Sequence, residues 1–120
     1  IVETIPPLSV NGDPNGKLLV LGCGSTYGAI TTAVERCRAK GLSVSSAHMR
    51  YMDPMPKNTG DVLRAFDRVL VPEMNLGQLC TLVRAKYLVD AIGLNKVEGK
   101  PFMIQEIQDR IEELLNGRKS

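Results

Sequence analysis

The stretch K-L-L-V-L-G-C-G-S-T-Y-G, residues 17–28, decides the fold of this chain. Its four consecutive apolar residues, 18–21, are typical of a strand that is covered on both faces, as parallel strands are in α/β proteins. Three glycines with Ser25 and Thr26 follow, which predicts a tight turn that leads into a helix. A buried strand, a glycine turn and a helix in succession indicate an α/β architecture.

Strand and helix patterns alternate after this turn. Four strands are predicted, over 18–21, 42–47, 68–72 and 93–97. The first predicted helix spans 27–40 and is stopped by Gly41, and the second is short, is capped by Asn58 with Asp61, and carries Val62, Leu63 and Phe66. The third predicted helix carries Leu79, Cys80, Val83 and Tyr87, and the last one begins at about Pro101. Strands joined by helical crossovers predict a mainly parallel sheet with right-handed connections. The expected fold is a three-layer α/β/α domain.

The opening stretch I-V-E-T-I-P-P-L-S-V-N-G-D-P-N-G is rich in Pro, Gly and Asn. Such a composition is typical of an interdomain linker. We therefore expect a linker over 1–16 and an α/β domain over 17–120. Because the first residue is Ile1 rather than Met, we also expect that the chain is cut from a longer protein.

Composition narrows the classes of function. Of the 120 residues 43% are hydrophobic and 23% are charged, as in ordinary globular proteins. A net charge of +2 and an aromatic fraction of 4% disfavour nucleic acid as a partner. No apolar run is long enough to span a membrane, and no secretory signal is visible. The three widely spaced cysteines predict reduced thiols in a cytoplasmic protein.

The loops after the first three predicted strands meet at one carboxyl edge, where α/β folds bind ligands. The turn over 22–28 can be a phosphate cradle, or it can need glycine for its geometry alone. The second interpretation is favoured, because the dinucleotide fingerprint and the Walker lysine are both missing. Arg50 and Lys57 flank the loop over 48–58, and Asn75 and Gln78 lie on the neighbouring loop and helix start. These residues can hold a phosphate or carboxylate, or their charges are solvated or help to fasten the domain to a partner; the second interpretation is favoured.

The residues offer no complete catalytic arrangement. His48 is the one histidine, so no two-histidine metal site can form within this chain. We expect His48 to be structural or to form a hydrogen bond in its loop, rather than to belong to a Ser-His-Asp or Cys-His arrangement. Asp53 and Glu73 are a possible acid/base pair, although carboxylates at strand ends more often cap helices or pair with Arg. Met49, Met52, Met55 and Met74 lie on the same two loops and fit either a partner surface or a core. That set supports no self-contained catalysis.

Five longer words carry a resemblance to a known family. They are L-L-V-L-G-C-G-S-T-Y-G-A-I (18–30), H-M-R-Y-M-D-P-M-P-K-N (48–58), V-L-V-P-E-M-N-L-G-Q-L (69–79), R-A-K-Y-L-V-D (84–90) and N-K-V-E-G-K-P-F (95–102). In this order and spacing the chain resembles the C-terminal domain of the α subunit of 2-oxoacid:ferredoxin oxidoreductases, particularly the 2-oxoglutarate type. The resemblance covers nearly everything over 17–102.

The resemblance implies an enzyme that oxidatively decarboxylates a 2-oxoacid to its acyl-coenzyme A and passes electrons to ferredoxin. It also implies a fold similar to the C-terminal domain of transketolases, which supports assembly and contributes no catalytic residue here. Thiamine diphosphate, Mg²⁺ and an iron–sulfur cluster are then expected in other domains or in the β subunit. The implied partners are the rest of the α subunit, a thiamine-binding β subunit and ferredoxin.

Candidate site residues follow from the family words and from the two loops. The interface or loop-shaping candidates are Gly22, Gly24, Ser25, Thr26, Arg50, Pro56, Lys57, Asn58, Asn75, Gly77 and Gln78. The alternative function is a small binding module, in which the turn over 22–28 and Arg50 or Lys57 hold a coenzyme A phosphate or a similar anion. A free-standing dinucleotide oxidoreductase is a weak third interpretation, since its fingerprint is missing.

Overall fold

The computed structural model describes residues 8–23, 27–49, 58–73, 78–95 and 104–116. The elements are β1 (Val10–Asn11), β2 (Gly16–Cys23), α1 (Tyr27–Ala39), β3 (Val44–Met49), α2 (Thr59–Arg64), β4 (Phe66–Glu73), α3 (Gln78–Tyr87), β5 (Ala91–Asn95) and α4 (Ile104–Asn116). The strands form one sheet in the order β1-β3-β2-β4-β5, in which only the β1–β3 pair is antiparallel. The prediction of a mainly parallel sheet is confirmed.

The central strand β2 supplies both hydrophobic cores, because successive side chains of a strand point to opposite faces. Leu19 and Leu21 pack with residues of α2 and α3, whereas Leu18 and Val20 pack with residues of α1 and α4. All four of these side chains are fully buried. The consecutive apolar run therefore belongs to a strand covered on both faces, and the predicted three layers are confirmed. Within the described ranges, no helix has the length and hydropathy for crossing a membrane.

Helix α1 ends at the predicted glycine. Gly41 has a φ of +88°, and its N–H donates to the Arg38 carbonyl at 2.9 Å. The N–H of Leu42 donates to the Cys37 carbonyl at 3.2 Å, which completes a Schellman motif. Because Leu42 belongs to this helix stop, the second predicted strand begins at Val44 rather than at residue 42 and extends to Met49. Met49 is fully buried, which assigns it to the core.

The boundary between α2 and β4 differs from the prediction. Phe66 was expected on the short helix, but it begins β4 and pairs in register with Gly16 of β2. Its side chain is buried beneath the sheet among residues of the α2 and α3 layer. Helical spacing from Val62 placed Phe66 on the same face, and the structure satisfies that burial with a strand instead.

The stretch over 8–15, which lies within the predicted linker, packs on the sheet. Leu8 is buried, and Val10 and Asn11 pair with β3. Ser45 Oγ donates to the carbonyl oxygen of Asp13 at 2.8 Å. This part of the chain is thus fixed on the domain, and a linker role for the residues before it stays a prediction.

Candidate functional site

The direction in which the chain winds reverses at one place along the carboxyl edge of the sheet, between β2 and β4. The chain leaves β2 through α1 toward β3, and it leaves the adjacent β4 through α3 toward β5 in the opposite direction. Residues of α1 and α3 belong to the cores on opposite faces of the sheet. In open α/β sheets ligands bind at such a reversal of strand order. The ends of β2 and β4 are therefore the candidate functional site.

Two helices, α1 and α3, begin after the ends of β2 and β4. Helix α1 begins at Tyr27 and α3 at Gln78, and neither has an acidic residue in its first turn. The N-terminus of a helix carries partial positive charge and free N–H groups, so both termini are compatible with an anion. Gly28 faces open space, since a Cβ atom there would meet no other atom within 4 Å.

The structure describes three of the predicted site residues. Gly22 is buried in β2 and pairs in register with His48 of β3. Gln78 is the first residue of α3, and Asn58 precedes α2. The other site candidates lie outside the described residues: Gly24, Ser25, Thr26, Arg50, Pro56, Lys57, Asn75 and Gly77. Met52, Asp53, Met55 and Met74 also lie outside them.

Asn58 has a different task from the one predicted for it. It occupies the N-cap position of α2, but its side chain makes no capping hydrogen bond. Its Oδ1 accepts a hydrogen bond from the N–H of Leu8 at 2.8 Å, and its Nδ2 donates to the carbonyl oxygen of Leu8 at 2.9 Å. The side-chain amide of Asn58 thereby makes the two hydrogen bonds with Leu8 that a neighbouring strand would make. These bonds hold the stretch over 8–11, which includes β1, beside β3. A contact across 50 positions leaves no local sequence signal.

A second polar cluster, which the sequence reasoning missed, joins the turn before β2 to α1. The Arg38 guanidinium donates to the Val44 carbonyl at 3.0 Å and lies 3.6 Å from a carboxylate oxygen of Asp13. Beside it is a cleft of about 430 Å³, lined by Asn11, Gly12, Thr31, Val34, Glu35, Arg38 and Ser46. The Thr31 and Ser46 hydroxyls are shielded from solvent and have no hydrogen-bond partner among the residues that the structure describes. The charged side chains that line this cleft are one carboxylate, Glu35, and one guanidinium, Arg38, so their charges cancel.

Metal and cluster ligands do not come together in the described part of the chain. No group of three or more His, Cys, Asp or Glu residues there could hold a metal ion. Cys37 lies in the core beside α4 and Cys80 in the core on the opposite face of the sheet, so they cannot share a cluster. Burial and the nearby Glu112 raise the pKa of Cys37 to about 11, which keeps it a protonated thiol. Within the described residues, therefore, no set of side chains is gathered in the way that an iron–sulfur cluster needs.

Relatives of this chain are subunits of one class of enzyme. It is 47% identical over 116 residues to the 2-oxoglutarate oxidoreductase subunit KorA of Mycobacterium tuberculosis, which covers 95% of this chain and 18% of that protein. It is 31% identical over 119 residues to subunit alpha of 2-oxoacid:ferredoxin oxidoreductase 1 of Aeropyrum pernix, covering 89% of this chain and 18% of that protein. The chain thus spans about a fifth of the length of these curated relatives.

Solved structures share the fold. The 2-oxoglutarate:ferredoxin oxidoreductase of Magnetococcus marinus, solved with 2-oxoglutarate, coenzyme A and succinyl-CoA bound, matches with a TM-score of 0.87 and 28% identity, over 94% of this chain and 20% of that chain. A split-gene transketolase matches with a TM-score of 0.63 and 13% identity, over 86% of this chain and 40% of that one. This second likeness concerns the fold alone and confirms the predicted transketolase-like architecture.

The family follows from the match over most of the chain. Residues 16–107 match the family described as pyruvate:ferredoxin oxidoreductase core domain II. The match begins at the first residue of β2 and extends into α4, so it includes most of both cores and the carboxyl edge. The resemblance predicted from the five sequence words is confirmed, and the chain belongs to the core domain II family of 2-oxoacid:ferredoxin oxidoreductases.

Proposed function

We propose that this chain is the assembly domain of the α subunit of an enzyme that oxidises 2-oxoglutarate, or a related 2-oxoacid, to its acyl-coenzyme A with electrons passed to ferredoxin. The observation that carries the proposal is the 47% identity to a 2-oxoglutarate oxidoreductase subunit across 95% of the chain. The proposed partners are the rest of the α subunit, a thiamine-binding β subunit and ferredoxin, in the cytoplasm.

The supporting role of the domain is proposed from its side chains. The two described cysteines are buried on opposite faces of the sheet, and no metal-ligand group lies among the described residues. Thiamine diphosphate, Mg²⁺ and the iron–sulfur cluster would then be held elsewhere in the complex, where they would supply decarboxylation and electron transfer. The residues of this chain would shape and support the assembly rather than bind those groups.

The test is an assay of the full-length parent protein purified with its partner subunit. Dye reduction that depends on coenzyme A is measured with 2-oxoglutarate and with pyruvate, and the 120-residue chain alone is the control. We expect turnover with the 2-oxoacid in the complex and none with the isolated chain. Inactivity of a complex that is loaded with thiamine diphosphate and metal would contradict the proposal.

A second candidate function is the binding of a coenzyme A phosphate at the carboxyl edge. It is favoured by one observation, the two helix N-termini without first-turn acids that follow the ends of β2 and β4, where the order of the strands reverses. The Magnetococcus marinus relative was solved with coenzyme A bound, which makes this ligand the natural choice for a test. The proposed contacts are the turn over 22–28 and Arg50 or Lys57, of which Lys57 is tested first.

Calorimetric titration separates this second candidate from assembly alone. The full-length complex and the 120-residue chain are titrated with coenzyme A and with inorganic phosphate, and Lys57→Ala is compared with Lys17→Ala, an exposed lysine at the amino end of β2. Heat that is lost in Lys57→Ala and kept in Lys17→Ala supports binding at this edge. If neither the complex nor the 120-residue chain shows heat of binding at millimolar ligand, the second candidate function is contradicted.

A further inference from the structure

The stretch over 8–16, which we call the strap, is bonded to the domain at both of its ends and in its middle. At its start, the Asn58 side chain accepts from the Leu8 N–H at 2.8 Å and donates to the Leu8 carbonyl at 2.9 Å. In its middle, β1 pairs with β3. At its end, the Gly16 N–H donates to the Ala65 carbonyl at 3.3 Å. These bonds make the strap a part of the folded domain.

Polar side chains hold the turn between β1 and β2. Ser45 Oγ donates to the Asp13 carbonyl at 2.8 Å, and the Arg38 guanidinium lies 3.6 Å from an Asp13 carboxylate oxygen. Directly after the strap, the Lys17 N–H donates to Ser43 Oγ at 3.2 Å. Ser45 is only 1% exposed, and a buried hydroxyl without a hydrogen bond costs free energy. The bond to Asp13 therefore stabilises both the buried serine and the turn.

Two glycines of the strap fit it closely to neighbouring side chains. Gly12 has a φ of +113°, and a Cβ there would lie 2.8 Å from Arg38 Nη1 and 2.9 Å from Ser45 Oγ. A Cβ at Gly16 would lie 2.7 Å from Ser43 Oγ. Glycine is thus needed at these positions for a close approach of the backbone. The composition that is typical of a linker belongs here to a packed segment.

The direction of the strap places its first residue at the carboxyl edge of the sheet. Strand β1 runs antiparallel to β3, with Val10 opposite Ala47. Leu8 therefore lies toward Met49, the last residue of β3. Asn58, which binds Leu8, directly precedes α2. The chain thus enters the domain at the same edge that carries the candidate functional site.

We propose that the strap fixes the point of entry of the parent chain beside the carboxyl edge, so that any hinge between this domain and a preceding part of the α subunit lies before Leu8 and not within 8–16. The inference rests on the proposed function, in which the chain is one domain of a longer α subunit. The curated relatives, of which the chain covers 18%, have that greater length. A tether shortened in this way keeps the parts that it joins close together.

The experiment uses the full-length parent protein with its partner subunit, and hydrogen exchange read by mass spectrometry measures the opening of the strap. Gly12→Ala adds a Cβ against Arg38 and Ser45 at a positive φ. Gly41→Ala is the matched control, because Gly41 also has a positive φ, +88°, but a Cβ there would meet no atom within 4 Å. Asn58→Ala releases the start of the strap. The core beneath α1 and α4 contains no residue of the strap, so the domain stays folded.

We expect the backbone amides over 8–13 to exchange about tenfold faster or more in Gly12→Ala and in Asn58→Ala, and to change by less than about twofold in Gly41→Ala. The amides over 18–21, in the fully buried β2, should remain far slower than those of the strap in every variant. Equal exchange over 8–13 in wild type and all three variants would overturn the inference.

Small-angle X-ray scattering of the same proteins measures the consequence for the parent protein. A released strap adds nine residues to the length of chain between this domain and whatever precedes it. Nine extended residues span about 30 Å. The radius of gyration and the maximum dimension should therefore increase in Gly12→Ala and Asn58→Ala but not in Gly41→Ala. A strap that opens without a change in scattering overturns the inference, since other contacts then hold the domain in place.

The outcome for the strap is separable from the outcome for the proposed function. Hydrogen exchange and scattering are measured without turnover, so they decide the role of the strap alone. Absence of dye reduction that depends on coenzyme A, in a wild-type complex loaded with thiamine diphosphate and metal, contradicts the proposed function whatever the strap does.

Discussion

A single amide at Asn58 joins parts of the chain that are far apart in sequence. Its two hydrogen bonds to the backbone of Leu8 leave α2 without a side-chain cap. We expect Asn58→Ala to lower the free energy of unfolding of the 120-residue chain by about 1–3 kcal/mol, because a partly buried backbone N–H and C=O lose their partners. Urea unfolding measures this loss.

Asn58→Ser is the control that separates this contact from helix capping. Serine is a good N-cap residue where the backbone is extended, but it is too short to bind both backbone groups of Leu8. Because the backbone at residue 58 is not extended, with φ −86° and ψ 5°, we expect Asn58→Ser to lose about as much stability as Asn58→Ala. Full stability of Asn58→Ser would show that the cap matters and the contact with Leu8 does not.

Because the thiol of Cys37 is buried, the free energy of unfolding should depend on pH in the alkaline range. Burial and Glu112 raise its pKa from the ordinary value of 9.0 to about 11 in the folded chain. Between these values the unfolded chain loses the thiol proton and the folded chain keeps it, so the free energy of unfolding falls as pH rises. We expect Cys37→Ala to show a smaller fall than wild type in urea unfolding from pH 8 to pH 11. Identical slopes in both proteins would contradict the raised pKa.

At the scale of the elements, two helical glycines should respond to alanine with opposite signs. A Cβ at Gly60 of α2 would lie 2.9 Å from Cδ1 of the Tyr87 ring, whereas one at Gly28 of α1 meets nothing within 4 Å. Overpacking costs typically about 1–3 kcal/mol, and alanine in a helix gains up to about 1 kcal/mol over glycine. We therefore expect Gly60→Ala to destabilise the chain and Gly28→Ala to stabilise it.

Thermal unfolding of the two variants beside wild type gives the comparison. Near-ultraviolet circular dichroism should also change in Gly60→Ala, since the Tyr87 ring has to move, and stay unchanged in Gly28→Ala. Stabilisation by both substitutions would mean that α2 and α3 move apart at the contact between residue 60 and Tyr87 without loss of stability.

The elements themselves were largely predictable, and their boundaries were not. The apolar run of β2 and the helical spacing in α1 are local patterns, and both were predicted from them. Phe66 was assigned to a helix because its burial satisfies a helical period as well as a strand. Strand pairing and not residue type decides where β4 and β5 begin, since Gly16 pairs with Phe66 and Val69 with Ala91.

The candidate site was less predictable than the fold. The carboxyl edge follows from the order of strands and helices, so its place could be foreseen. The task of Asn58 and the contact between Arg38 and Asp13 depend on distant residues, which no local pattern reveals.

At the scale of the whole molecule, the sheet divides the interior into two cores that should contribute independently. Ile107 and Ile111 of α4 lie in one core, and Val83 of α3 lies in the other. We expect Ile111→Val and Val83→Ala to add within about 0.5 kcal/mol, with about 0.5–1.5 kcal/mol lost for the first and about 2 kcal/mol for the second. Urea unfolding of single and double variants gives the coupling energy.

The pair Ile107→Val with Ile111→Val is the comparison within one core. These side chains are neighbours on one face of α4, so their losses should deviate from the sum. Strong coupling between Ile111 and Val83 would show that the sheet transmits packing changes from one face to the other.

The two residues of β1 also decide what the edge of the sheet offers to other chains. Paired with β1, part of β3 has its backbone groups bonded, and the amide of Asn58 keeps the preceding Leu8 in place. Proteolytic removal of the stretch over 8–13 would bare β3, whose apolar residues Val44, Ala47 and Met49 make it a template for strand addition. This short antiparallel strand thereby covers part of the edge of β3 and lowers the tendency of the domain to pair edge to edge with other chains.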